Sequence, residues 1–130
     1  MTPRGHASTR AVTISDARLF LSKAEEFLRA STDSLALGNF VAATGNAVHA
    51  GIASADCIAA CRAGVVWTGE HSQAAQFLES SAGPDGRRAS TQLRHLLPLK
   101  NRAEYDPTPV TTSEAHRAVQ AAQRIVAIAE

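Results

Sequence analysis

The stretch "NFVAATGNAVHAGIASADCIAACRAG", residues 39–64, decides the fold. Val41, Val48, Ile52, Ala55, Ile58, Ala59 and Arg62 recur along it at helical spacing, and Gly64 stands where such a helix would stop. The remaining faces carry Gly45, Ala47, Ala50, Gly51 and Ser54, an unusual density of small side chains. An interior glycine costs a helix about 1 kcal/mol relative to alanine, and close packing against another helix offsets that cost. The spacing therefore predicts a central helix from about Asn39 to Ala63 with neighbours on several sides.

Upstream, "ISDARLFLSKAEEFLRASTDSLALGN" sets Ile14, Leu19 with Phe20, Phe27 with Leu28, and Leu35 near helical spacing, with Ser15 as the expected N-cap and Gly38 as the stop. Residues 1–12 are polar, contain Pro3 and Gly5, and read as a disordered leader before a single domain over residues 13–130. Downstream, "EHSQAAQFLESSAG" suggests a short third helix with Ala74, Ala75, Phe77 and Leu78 inward, and "GPDG" at 83–86 reads as a loop. A fourth helix over Arg87–Leu97 presents Leu93, Leu96 and Leu97 before Pro98 ends or kinks it. In the last segment Thr111 with Glu114 forms a capping box, and Ala115, Ala118, Val119, Ala122, Val126 and Ala129 make an apolar stripe. The expected architecture is all-α, an up-and-down bundle of four to five helices, with no strand pattern.

Composition agrees with that reading. Of 130 residues 26 are alanine, against one Trp, one Tyr and four Phe, so helices must approach closely to exclude water. A chain of this length buries roughly two-thirds of its unfolded surface and holds one core. The net charge of +1 makes no global case for nucleic acid or membrane, although eleven Arg against two Lys suits local carboxylate or phosphate contacts. No run is long and apolar enough to span a bilayer and the N-terminus lacks a signal-peptide core, so a soluble, cytoplasmic protein is expected.

Several chemistries have no footing. There is no glycine-rich phosphate loop and no HExxH or paired ExxH motif. Cys57 and Cys61 lie one helical turn apart and are expected as buried free thiols. His49 is near facial alignment with them, but a fourth zinc ligand has no candidate. His71 and His116 stand at helix starts and are expected to be exposed, and the carboxylates are scattered. No metal or cofactor is implied.

The densest polar cluster is "LKNRAEYDP", residues 99–107. From Asp85 to Asp106 the chain is locally basic, with Arg87, Arg88, Arg94, His95, Lys100 and Arg102 against Asp85, Glu104 and Asp106. One reading puts Asn101 and these cations around a phosphate at a new helix start after Pro98. The other pairs Lys100 and Arg102 with Glu104 and Asp106 to stitch a kink, with Tyr105 covering the core.

With "LLPLKNRAEYDPTPVTTSEAHRAVQAAQRIVAIAE" following the alanine-rich second helix, the chain from about Ile14 to Glu130 resembles the HEPN families of small bacterial helical-bundle proteins. The likeness is specific in "KNRAEYDP" and general elsewhere. The resemblance implies a bundle, often a homodimer, from families rich in toxin-antitoxin components and RNA-cleaving or RNA-binding modules, with an antitoxin or nucleotidyltransferase as a cognate partner. In ribonuclease members of such families an Arg, commonly followed by Asn, lies a few residues before a His, and the pair cleaves RNA without metal. Laid on this sequence, Lys100 takes the Arg position, Asn101 matches the Asn, and Tyr105 falls where the His belongs. Tyr, with an unperturbed pKa of about 10, is a poor base near neutrality, and Lys lacks the planar fork of Arg.

The expectation is a HEPN-like module without ribonuclease activity, binding RNA, a nucleotide or a protein partner through Lys100, Asn101, Arg102 and Tyr105. The alternatives are a metal-independent endoribonuclease using Arg88 and His95, seven apart and so on one helix face, or Lys100 and Tyr105, and a purely structural interaction bundle.

Overall fold

A computed structural model describes residues 8–130. Six α-helices and one two-stranded sheet make up the regular structure among them. The first strand, β1 (Thr9–Ala11), precedes α1 (Ile14–Ala36) and the central α2 (Phe40–Ala63). Then come β2 (Val65–Trp67), a 3-10 turn (His71–Gln73), α3 (Ala74–Ser81), α4 (Gly83–Leu96), α5 (Leu99–Glu104) and α6 (Thr112–Ala129). The expected all-helical bundle is what forms.

Helix α2 is the axis, and it touches all five other helices. Its buried residues occupy every side, including Ala43, Ala47, Ala50, Ala53, Ile58 and Ala60. Gly51 earns the close approach that its cost demands, since a Cβ there would stand 2.5 Å from Leu96 Cδ1 of α4. Gly45 does not, because its nearest neighbour would be Ala103 Cβ at 3.9 Å. The helix ends at Gly64, whose φ of 69° is the left-handed conformation that glycine adopts without strain.

The start of α1 differs from expectation. Thr13, not Ser15, is the N-cap, because Thr13 Oγ1 accepts from Asp16 N at 3.1 Å while Thr13 N donates to Asp16 Oδ2 at 3.0 Å. This reciprocal pair satisfies two otherwise orphaned donors. Ile14 and Leu19 stay exposed, and Val41 at the start of α2 does too. The face of α1 that α2 covers is lined by Ala17, Ala24 and Ser31, small enough for contact, and Ser31 Oγ donates to Ala43 O at 2.7 Å.

Two further expectations are corrected. The leader is not disordered up to residue 12: Thr9, Arg10 and Ala11 pair antiparallel with Trp67, Val66 and Val65, while residues 1–7 lie outside the described residues. Strands of three residues are too short to show an alternating pattern. "GPDG" opens α4, with Pro84 in the first turn where its missing N–H costs nothing. Gly86 is there for proximity, since a Cβ would run into the Leu78 carbonyl and Ala82. The polar segment after Pro98 forms the short helix α5, the new helix start that one reading expected there.

The main core joins Val48, Ile58, Leu78, Leu93, Leu96, Ile125 and Val126 with many alanines. A smaller cluster of Ala17, Cys57, Ala60 and Val66 lies under the β-strands. Of the two free thiols only Cys57 is buried, and Cys61 is exposed. No helix of the described residues is long and apolar enough to cross a membrane.

Candidate functional site

Pro98 interrupts the helical path, and α5 turns the polar segment across one end of α2. The backbone N–H groups of Tyr105 and Asp106 both donate to Asn101 O at 2.9 Å, which closes the helix. Lys100 Nζ meets Glu104 Oε2 at 3.3 Å, and His49 Nε2 of α2 meets Glu104 Oε1 at 3.2 Å. One carboxylate thus ties the two helices. Asn101 and Tyr105 point to solvent, Tyr105 being 72% exposed rather than covering the core, and Lys100 Nζ lies 5.4 Å from its ring centre.

Arg102 does not pair with Asp106. Its Nη1 donates to Glu114 Oε2 at 2.7 Å, and its Nη2 donates to Glu114 Oε1 at 3.1 Å and to Pro109 O at 2.8 Å. This fork matches a carboxylate as a planar guanidinium does. Glu114 is held below the usual carboxylate range by the Thr111 backbone N–H, with Arg102 adding to it. Asp106 is lowered in turn by the Thr108 N–H, which donates to its Oδ1 at 2.8 Å. Of the four residues expected to hold a ligand, Lys100 and Arg102 are engaged by carboxylates of the same chain.

Arg88 and His95 do share a face of α4. Arg88 donates to Asp85 Oδ1 at 2.6 Å, and Asp85 also accepts from Arg62 at 2.5 Å. The Arg88 hydrogen bond, followed by that of Arg62, lowers the Asp85 pKa. Seven residues at about 1.5 Å rise put the Arg88 and His95 backbones roughly 10 Å apart along the axis, and Arg88 is held at the far end by Asp85. His49, Cys57 and Cys61 form no joint site, and no group of three or more potential metal ligands occurs among the described residues.

The pairing of side chains also reveals a groove between α4 and α6 that spacing alone did not single out. One part is lined by Gln92, His95, Leu99, Glu114, Arg117, Gln120 and Arg124, and it continues past Gln92 and Arg124 to Arg88, Thr91 and Ile128. Arg117 bonds to Ser113 Oγ at 3.1 Å, and Glu114 is taken by Arg102. Gln92 Oε1 is buried without a hydrogen-bond partner. The signal available in the sequence was Arg117 and Arg124 seven apart on α6, facing a helix with Arg88 and His95 at the same interval. No protein-family model matches the chain, and no curated protein matches it.

Proposed function

We propose that the protein is a HEPN-like helical module that binds RNA without cleaving it. The observation that carries the reading is the α4–α6 groove, where His95, Arg117 and Arg124 line one part beside Glu114, a carboxylate already engaged by Arg102, and Arg88, paired with Asp85, edges its continuation. Such a groove attracts a phosphate backbone. Lys100 and Asn101 edge a second groove with His71, Gln76 and Arg94, which extends the surface open to a partner. Absence of cleavage is favoured by the chemistry at α5: Tyr105 stands where a base would act, and Lys100 is bound to Glu104. Pairing with a second copy and a role beside an antitoxin or nucleotidyltransferase belong to the same proposal.

The test is binding of a labelled single-stranded RNA across a salt series, with cleavage followed in EDTA. Each lost phosphate contact should lower the slope of log affinity against log salt by about 0.7, so Arg117→Gln and Arg124→Gln should each weaken binding and flatten it. RNA affinity that ignores both substitutions sinks the groove. Cleavage abolished by His95→Ala or Tyr105→Phe would instead establish a metal-independent ribonuclease.

A further inference from the structure

Asp56 is the one acidic residue of α2, half-buried between Ala55 and Cys57. It opens into a cleft walled by Ile52, Leu93, Trp67, Phe77 and His71, with about 420 Å³ of empty space, part of it open to solvent. The enclosed room is only about 60 Å³, so the cleft takes the charged head and one edge of a small ligand whose body lies partly in solvent, against an apolar wall with few polar groups. Four other carboxylates are each held by a cation of the chain: Asp85 by two arginines, Glu104 by Lys100 and His49, Glu114 by Arg102, Glu79 by Arg94. Among the described residues the Asp56 carboxylate has no hydrogen-bond or ion-pair partner.

The wall is built in advance. Trp67 stacks on Phe77 with ring centres 5.2 Å apart, and its Nε1 donates to Glu70 O at 2.9 Å. Gly69 closes on the indole so tightly that a Cβ there would stand 2.6 Å from Trp67 Cζ2. A carboxylate that can only accept hydrogen bonds, at the end of an aromatic and aliphatic hollow, is complementary to one ligand chemistry. We propose that this cleft binds a small organic cation, an ammonium or amidinium on a flat apolar body, with Asp56 as its counter-ion and Trp67 with Phe77 as its wall.

The chain's own cations do not fill this role. Arg10 on β1 and Lys23 on α1 are exposed and attract the carboxylate from a distance, and neither comes within ion-pair reach. Burial outweighs them and raises the Asp56 pKa to about 6. Coulomb energy falls with distance and with solvent screening, so a cation touching Asp56 gains more than it loses to Arg10 and Lys23. Other groups that face the carboxylate reduce to His71 at the mouth.

Trp67 is the only tryptophan, so its fluorescence reports on this cleft alone. The native protein is titrated with 2-phenylethylamine and benzamidine, and with 2-phenylethanol as the uncharged counterpart of the first. The amines should give a saturable change at neutral pH, and the alcohol should bind about tenfold more weakly or worse, the difference expected of a charge-assisted hydrogen bond. Asp56→Asn, checked for retained helicity by circular dichroism, should bind amine and alcohol alike. Below pH 6 the native protein should lose amine affinity by about tenfold per unit as Asp56 protonates. The proposal is overturned by no saturable response to either amine, by an equal response to the alcohol, or by an Asp56→Asn variant that still prefers the amine. It is also overturned if amines bind only after Arg10→Gln, because Asp56 would then be the partner of β1.

Discussion

Arg102 and Asp56 are opposite solutions to one problem, a charge on the inner side of a helix. Arg102 places both terminal nitrogens on a carboxylate twelve residues on and a loop carbonyl, leaving only its Nε without a partner, whereas Asp56 is left to the low dielectric of its cleft. The consequence for Asp56 is a pH dependence of definite sign. Its carboxyl has an ordinary value of 3.8 and is raised to about 6 in the fold, so the native state holds its proton more tightly than the unfolded chain. The stabilisation is fully present below about pH 3.8 and is lost as pH rises through about 6. A shift of this size, discounted for partial solvent access, corresponds to about 1–2 kcal/mol. Asp56→Asn should therefore be more stable than the native protein at pH 7.5 by that amount and equal to it near pH 4. Urea unfolding of both at the two pH values decides it, and a difference independent of pH would refute the assignment; the attraction of Arg10 and Lys23 for the ionised carboxyl is already contained in its value of about 6. Neither residue's environment was legible in the sequence. That Arg102 would find Glu114 and His49 would find Glu104 depends on how α2 and α6 flank α5, and no local spacing encodes a contact across 55 positions.

At the scale of elements more could be read, because helix signals are local. The capping box at Thr111 and Glu114, the stop at Gly64 and the break at Pro98 are all where the sequence pattern put them. Misreadings fell where one residue type serves two purposes. Glycine in "GPDG" suggested a loop, yet Gly86 permits α4 to lie against Leu78 and Ala82 of the preceding turn. The two glycines inside α2 separate the same two purposes and can be told apart by experiment. Gly51→Ala pushes a methyl against Leu96 Cδ1, the end of a fully buried side chain that must shift within the core, so overpacking should cost about 1–3 kcal/mol despite the gain in helix propensity. Gly45→Ala meets only ordinary contact and should stabilise by up to about 1 kcal/mol. Denaturant midpoints of the two variants should move in opposite directions. A loss of stability in both would mean that α2 packs as tightly on α5 as on α4.

For the molecule as a whole, the small sheet is what joins the chain's beginning to the middle of the bundle. β1 pairs with β2, Val12 N donates to Gly64 O at 3.0 Å, and Thr68 N donates to Ser8 O at 2.8 Å, so the segment before α1 straps down the exit of α2. Under that strap Val66 covers Ala17, Ala60 and Cys57 in a core separate from the main one. The two thiols report on it directly. Burial, with Cys61 adding to it, pushes Cys57 up to about 11, while Cys61 is exposed. Thiolate is the reactive form, so a shift of that size leaves Cys57 about a hundredfold less reactive than an ordinary thiol before its inaccessibility is counted. A disulfide reagent should label Cys61 promptly and Cys57 only through openings of the strap, whose free energy is smaller than that of global unfolding. A chain beginning at Val12 lacks β1 and keeps every helix of the main core. In it Cys57 should react at least about tenfold faster, with Cys61 unchanged and the helical circular dichroism retained. Mass spectrometry of the labelled peptides separates the two sites. If Cys57 remains as slow in the shortened chain, α1, α2 and the end of α6, where Ala129 O accepts from Cys57 Sγ, protect it without the strap, and β1 is a decoration on the bundle rather than part of what holds it closed.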